Sequence, residues 1–546
     1  MIRALLLPGV IIALLAAGLD TWQWLRASPL WVDEEMIALN VRDRPFAELP
    51  GALWLGQSAP LGWLVIERAA VLAFGTGELV LRLVPLLFGI ATLAAAAWVG
   101  HRWMNWLGAA LLTICCAIAQ WLSHYRFEVK HYSADAFWAF LLPAMAAWAA
   151  EEAEPEPAHR RWTRWWAVAA LAQWVANGAL LVTPACALLL GAVIMRRDGA
   201  RAAIRFAATG SLWLVSVGVH YAMSLQYAHY SRHLRDYWAP YVAPESADLV
   251  QSLQWIAGRL EPLASHPGGT MLTAALWTAA FAGFVFARRR LLGVMFASVP
   301  LAGFALALLR LVPLHDRLAV WIVPALYGGV ALAADAGFHH GWRAWRERKW
   351  PWAAPSVLAI AIAIYVSTDI LTTGYRHLDL DHPASGNHAL DDRGAVRWLM
   401  QRRQPGDALL STRLGWPAIW WYGGINLRRP APGARLADGA VMYVLTDDGP
   451  PAGCETRLQN ALAPHPRALL YVGFPDMPKG FYDTTVQKLS TLGTVVESAE
   501  FSDIGRTAVI DLRVGAGRVP PKPAAVDAPA PDATDACIGV RLARRW

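Results

Sequence analysis

Leu79-Val-Leu-Arg-Leu-Val-Pro-Leu-Leu-Phe-Gly-Ile-Ala-Thr-Leu-Ala-Ala-Ala-Ala-Trp-Val-Gly100 decides the fold class. A helix of this length crosses roughly 30 Å of hydrocarbon, and the run carries one charge, Arg82, near its start. Arg82 is costly to bury and is therefore interfacial or paired. Comparable apolar blocks run from Ala4 to Leu19, Trp106 to Leu122, Ala134 to Ala150, Ile204 to Leu225, Met271 to Ala287, Leu291 to Leu309, Leu318 to Ala334 and Val357 to Thr372. Trp166 to Met195 is too long for one span and too short for two full ones. Asn177-Gly178 and Thr183-Pro184 interrupt it, which predicts two short helices with a turn between them. The expectation is a polytopic α-helical membrane protein with about eleven transmembrane helices.

Composition agrees, since the 546 residues are 56% hydrophobic and 16% charged, with 29 Trp, too apolar and aromatic for an ordinary soluble chain. The formal charge of +7 does not point to nucleic acid, because the basic residues sit in short clusters between apolar blocks. Those clusters orient the chain instead. His101-Arg102, Arg160-Arg161 with Arg164, Arg196-Arg197 with Arg201 and Arg205, Arg288 to Arg290, and Arg343 through Lys349 occupy alternate loops and belong inside. The first apolar segment, which could be read as a cleaved signal peptide, is better read as an uncleaved first helix ahead of so many further spans. With the N-terminus also inside, the acidic stretch Trp31–Ile37, His124–Tyr132, Gln226–Thr270, Leu311–Arg317 and the C-terminus face outward. Cys115, Cys116 and Cys186 fall in apolar blocks as small hydrophobes, and no C-x-x-C spacing suggests zinc.

Between Asp20 and Gly77, prolines and tryptophans punctuate an amphipathic stretch that predicts interfacial helices, one over Leu61–Phe74. From about Arg376 the apolar runs shorten to strand length. Helices are predicted over Leu390–Arg403 and Arg457–Leu462, with strands over Asp407–Thr412, Met442–Thr446, Ala468–Phe474 and Thr507–Val514, hence a C-terminal α/β domain outside the membrane. Pro520–Pro531 is an extended Pro- and Ala-rich segment, and on an oxidising side Cys454 and Cys537 could be bonded.

Three outward-facing clusters carry potential chemistry. In Trp31-Val-Asp-Glu-Glu-Met-Ile37, Asp33, Glu34 and Glu35 are either a solvated helix start or hold a general base where partial desolvation raises a carboxylate pKa. Ser123-His-Tyr-Arg-Phe-Glu-Val-Lys-His-Tyr-Ser-Ala-Asp135 packs His124, Arg126, Glu128, Lys130, His131 and Asp135 into one short turn, with Tyr132 among them. Either it is a salt-bridged interfacial turn, or it binds an anion such as phosphate. In the second case Arg126 and Lys130, with His124, donate, while Glu128 and Asp135 orient them or act on substrate. In Leu311-Val-Pro-Leu-His-Asp-Arg317, Arg317 either snorkels to the headgroups or clamps a lipid phosphate, with His315 beside it. Tyr230 to Tyr241 is aromatic and charged, suited to a substrate groove or a lipid-interface helix.

As an ordered set, Trp31-Val-Asp33-Glu34, Gln57-Ser-Ala-Pro60-Leu-Gly with Glu67-Arg68, Gly75-Thr-Gly-Glu78, Leu81-Arg82-Leu-Val-Pro85 and Glu128-Val-Lys130-His-Tyr132-Ser-Ala-Asp135 resemble the glycosyltransferase C (GT-C) superfamily. The similar branch contains the protein O-mannosyltransferases and lipid A aminoarabinose transferases, and the match covers roughly residues 1 to 335. The resemblance implies a bacterial inner-membrane enzyme that takes a sugar from a polyprenyl-phosphate carrier on the outer face and inverts its anomeric carbon. By the same carry-over Asp33 is the base for the acceptor hydroxyl, Glu34 its neighbour and Asp135 a second active-site acid. Lys130 and Arg317, with Arg126 and His124, are candidates for the carrier phosphate; Glu128, Tyr132 and His315 for substrate contacts. The implied partners are the lipid-linked sugar as substrate, membrane lipids, and a glycan or lipid acceptor. No cofactor is specified, and a divalent metal stays open.

Two departures limit the likeness. Ser58-Ala59-Pro60 stands where the aminoarabinose transferases have a lysine-proline segment, and no β-trefoil insert accompanies the spans. The expected domains are 1–375 in the membrane, 376–515 as the α/β domain and 516–546 as a tail. The alternative from another class is a non-catalytic lipid or solute transporter, which would place its ionisable groups near the midplane of broken helices.

Overall fold

Each apolar block folds as a helix. The computed structural model describes residues 7–151, 156–246, 248–348, 353–377, 391–412, 414–425, 441–445, 454–473, 480–501 and 505–513. They divide into two compact units, one of 1–27 with 58–385, the other of 28–57 with 386–546.

The first unit is helical. Leu7–Trp24, Leu83–Trp103, Trp106–Ile118, Tyr132–Ala149, Ser211–His220, Thr273–Phe286, Arg290–Leu308, Val323–Arg346 and Ala353–His377 fall on predicted blocks, while Ala158–Ala172 and Asn177–Thr209 extend into the basic segments 160–164 and 196–205 that the sequence places in loops. Among the described residues five helical runs are long and apolar enough to cross a membrane: Glu78–Trp103, Asn177–His229, Arg290–Leu308, Asp316–Arg346 and Ala353–Arg376. Trp106–Ile118 and Thr273–Phe286 are shorter apolar helices. Leu61–Phe74 forms as predicted, opened by Pro60 and closed by Gly75 at φ 95°, a left-handed conformation that glycine adopts without steric cost.

One expectation needs correction. Asn177 does start a helix, but Thr183-Pro184 does not end it, and the helix continues to a break at Gly199, φ 82°. Thr183 Oγ1 donates to the Ala179 carbonyl at 2.6 Å, and packing of this helix among its neighbours holds it through the proline, as in other membrane bundles.

Close helix contacts rest on small residues, since lipid provides no hydrophobic drive for helix association. A Cβ on Gly283 would run into the Gly329 carbonyl, and one on Gly329 into Phe284 and the Ala280 backbone. The basic loops predicted inside gather at one end of the helices. Glu151 pairs with Arg102 at 2.6 Å and its carbonyl accepts from Arg161 at 2.6 Å, while Arg197 donates to the Ala150 carbonyl. Asp335 faces Arg288 and His339, both at 3.7 Å, and accepts the Asn105 N–H at 2.7 Å.

The second unit holds a five-stranded sheet. β1 (Ala408–Thr412), β2 (Val441–Leu445), β3 (Arg467–Val472), β4 (Thr494–Phe501) and β5 (Gly505–Asp511) lie in the order β2-β1-β3-β5-β4. β1 is parallel to both β2 and β3, and its buried run Ala-Leu-Leu-Ser-Thr fits a strand covered on both faces. β5 is antiparallel to β3 and β4. Helices Asp392–Arg402, Cys454–Leu462 and Phe481–Ser490 complete it with the short Trp416–Tyr422. The strand β4 and the helices at 416 and 481 had no sequence expectation; β4 is largely exposed, so its apolar pattern is weak. Cys537 and the tail 516–546, and with them the Cys454–Cys537 pairing, lie outside the described residues.

Residues 28–57 belong to this second unit. Their helix, Val32–Asp43, packs on Trp416–Tyr422. Arg42 donates to the Ile425 carbonyl at 2.9 Å and the Trp421 carbonyl at 3.3 Å, and the Leu30 N–H donates to the Tyr422 hydroxyl at 2.7 Å.

The glycine contact yields a test: Gly283→Val should lower the thermal midpoint of the detergent-purified chain, because overpacking costs about 1–3 kcal/mol. Size-exclusion recovery after heating reads this out, and an unchanged midpoint would mean the two helices can separate freely.

Candidate active site

Arg126 sets the geometry of the charged turn in the first unit. It is buried, pairs with Asp20 at 2.9 Å, donates to the Ala117 carbonyl at 2.9 Å and also to the Cys116 carbonyl. The end of helix Trp106–Ile118 is where unpaired carbonyls favour a cation. Gly89 makes room, since a Cβ there would strike the Arg126 side chain. The guanidinium is thus engaged within the protein.

Asp135 is also held locally. Its carboxyl accepts the Gly178 N–H at 3.0 Å in the first turn of helix Asn177–Thr209. Gly178 is needed because a Cβ would meet the Asp135 backbone. His131, between them, accepts from the Asn177 amide at 3.0 Å, sits edge-on to Trp63 at 6.2 Å and lies 3.5 Å from Asp135. Burial, with Lys130 beside it, pushes His131 down to about 3, so the ring is neutral. Lys130, Glu128 and Tyr132 are buried as well, and His124 faces Glu128 at 3.6 Å.

Three loops that are distant in sequence meet around Tyr125. Its hydroxyl is hydrogen-bonded to His266 Nε2 at 3.2 Å, and His266 lies flat on Trp121, ring centroids 3.4 Å apart. His266 Nδ1 faces Asp316 at 3.5 Å, while the other Asp316 oxygen takes His315 at 3.0 Å. His315 in turn stacks on Tyr241 at 3.7 Å. Arg317 lies 5.9 Å above the Trp238 ring and is near enough to Tyr125, His266 and His315 to influence all three. Burial raises Tyr125 well above the ordinary phenol range, with Glu128 adding to it. Burial lowers His266 to about 4 and lowers His315, against the pull of Asp316. The result is a cation, neutral imidazoles and aromatic faces gathered from the turn at 121–132, from Trp238, Tyr241 and His266 on either side of helix Leu249–Ser265, and from 315–317.

Of the predicted residues, His124, Glu128, Lys130, Tyr132, His315 and Arg317 therefore cluster in these loops. Tyr125, Trp121, His266 and Asp316 were not singled out. Asp316 was legible as the neighbour of His315 and Arg317, but His266 carried no motif, and only folding brings it to Asp316. Among the described residues, no three His, Cys, Asp or Glu groups are placed to hold a metal ion.

In the second unit the three acids differ sharply. Asp33 is partly exposed in the first turn of Val32–Asp43. Glu34 is buried and its carboxylate accepts the Trp31 N–H at 3.1 Å, closing the helix start. Glu35 is fully buried, and neither carboxyl oxygen has a hydrogen-bond partner among the described residues. Burial raises it well above the ordinary range, and the Asp392 and Glu34 carboxyls push it further. Asp392, which accepts a hydrogen bond from the Tyr471 hydroxyl, is pushed up to about 6 by its own burial.

An unfolded chain releases the Asp392 proton near pH 4, whereas the folded one holds it to about 6. Stability is therefore fully present below about pH 4 and falls as pH rises to about 6, by up to about 1.4 kcal/mol per pH unit. Asp392→Asn should remove that slope and raise the midpoint at neutral pH, measured by tryptophan fluorescence on heating the full chain across this range. An unaltered slope would assign it to another group.

No family profile and no curated protein matches the sequence. Solved structures do. ArnT from Cupriavidus metallidurans in the apo state aligns at 13% identity over 91% of this chain and 97% of that chain, TM-score 0.50. ArnT of the same organism bound to undecaprenyl phosphate aligns at 14% identity over 92% and 99%, TM-score 0.49. The Archaeoglobus fulgidus oligosaccharyltransferase in the apo form aligns at 13% identity over 77% and 63%, TM-score 0.45. Identity this low speaks to architecture, and the first of these alignments spans nearly the whole of both chains. By its apolar helices and this likeness, the chain is a multi-pass membrane protein that shares its fold with ArnT from Cupriavidus metallidurans.

Proposed function

We propose that the chain is a membrane glycosyltransferase that moves a sugar from a polyprenyl-phosphate carrier to an acceptor hydroxyl, inverting the anomeric carbon. The observation that carries this reading is the gathering of Arg317, His315, Asp316, His266 and Tyr125 from separate loops in a chain that shares its fold with ArnT. A cation flanked by neutral imidazoles and aromatic rings suits a phosphate joined to a sugar.

A sugar phosphodiester is already activated, so the protein must position it, accept the acceptor proton and stabilise charge on the leaving phosphate. In this reading Asp33 takes the hydroxyl proton as the oxygen attacks the anomeric carbon. The bond from that carbon to the phosphate oxygen breaks, and the carrier leaves as a phosphate monoester. Asp33 fits because it alone of the three acids keeps access to solvent, while Glu34 fixes the turn that presents it. Arg317 and Lys130 bind the phosphate, with His124 and Glu128 completing the turn and Tyr132 and His315 facing the sugar. Arg126 and Asp135 serve as positioning residues, consistent with their ties to Asp20 and Gly178.

The reading extends to about eleven crossings, a bacterial inner-membrane location, and an active site and α/β domain on the periplasmic or exterior face. The acceptor is a glycan or lipid. Alternate basic loops, joined at one helix end through Glu151 and Asp335, support that orientation.

The test is transfer from radiolabelled polyprenyl-phosphate sugars by the purified chain. Asp33→Asn should cut turnover by roughly 10²- to 10⁴-fold, the usual contribution of a general base, and leave donor binding intact. Undiminished transfer by that variant would remove Asp33 from the role. Arg317→Gln should raise the donor KM by about tenfold or more, the loss expected for a charge-assisted contact. An unchanged KM would place the phosphate elsewhere.

A further inference from the structure

A cavity of about 590 Å³ lies in the first unit between helices Thr273–Phe286, Val323–Arg346 and Ala353–His377, away from the loops around Tyr125. Its walls are apolar: Ala282, Phe286, Ala333, Ala336, Leu358 and Ile362. Of its charged residues, His340 and Arg343 belong to the last turns of Val323–Arg346 and Glu347 follows as the C-cap. The helices close behind it because Gly337 and Gly341 let Ser356 approach.

We infer that this cavity holds one acyl chain of an anionic glycerophospholipid, with the lipid phosphate on Arg343 and His340. The length fits. From Ala333 to Ala344, both lining it, a helix rises roughly 16 Å, about half of the roughly 30 Å hydrocarbon thickness and hence one leaflet. The charges fit too, since Arg343 and His340 are exposed at the end where a headgroup would lie. Trp342 and Trp345 are half exposed beside them, stack on one another at 5.1 Å and mark that level as a membrane interface, where indoles concentrate. Leu358, at the mouth, is also exposed, which opens the apolar wall to the bilayer. A zwitterionic lipid would fill the same volume but would leave the two cations less well matched.

Native mass spectrometry of the full chain in neutral detergent tests this with phosphatidylglycerol and phosphatidylcholine of identical acyl chains. Phosphatidylglycerol should be retained at about fivefold lower concentration, the usual gain from one interfacial arginine. Arg343→Gln should erase the preference, whereas Arg346→Gln, outside the cavity, should keep it. Ala282→Phe, which fills the cavity from a partly exposed position, should weaken retention of both lipids. Equal retention of the two lipids, or equal effects of Arg343→Gln and Arg346→Gln, would overturn the inference. So would full retention by the Ala282→Phe chain, or displacement of phosphatidylglycerol by an equal concentration of a polyprenyl phosphate, which would assign the cavity to the carrier.

Discussion

The charged turn depends on one buried ion pair. Arg126 and Asp20 lie together out of water, and removing one member of such a pair costs about 3–5 kcal/mol because the other charge is left uncompensated. The pair does more than cancel charge. By tying the turn to the ends of helices Leu7–Trp24 and Trp106–Ile118, it fixes where Tyr125 points, and Tyr125 is where the loop carrying His266 docks. From His266 the chain of contacts runs through Asp316 to His315 and Tyr241. Charge placed early in the sequence thereby orders loops that come much later.

The acidic triplet shows the opposite use of charge. Adjacent in sequence, its members face different surroundings because successive helix positions turn by about 100°. One is partly solvated, one closes the helix start, and one is sealed against Asp392. Burying Glu35 beside another acid is tolerable only if protons are retained, so this part of the unit is built to be neutral where its sequence looks most negative.

Much of this was legible in the residues. The apolar blocks gave the helices, the amphipathic stretch gave Leu61–Phe74, and Asp407–Thr412 was nearly the strand found as β1. Local patterning sufficed because each of those elements buries a continuous apolar run. What escaped was non-local. β4 is mostly exposed and alternates weakly; Glu35 is adjacent to Asp33 and Glu34 in sequence, and only the fold buries it against Asp392; His266 has no pattern to announce it. The residues at 28–57 illustrate the same limit, since nothing near them in sequence tells that their unit is completed by residues beyond 386.

That discontinuity has a consequence in time. Residues 28–57 leave the ribosome about 330 residues before 386 does, and at roughly 5–20 residues per second the interval is on the order of tens of seconds. Throughout it Glu35 has no Asp392 beside it, Leu30 has no Tyr422, and Arg42 has no Ile425 carbonyl to hold. The acidic helix is therefore born early and finished last, so the unit that carries Asp33 takes shape only after the final strands of the sheet have been made.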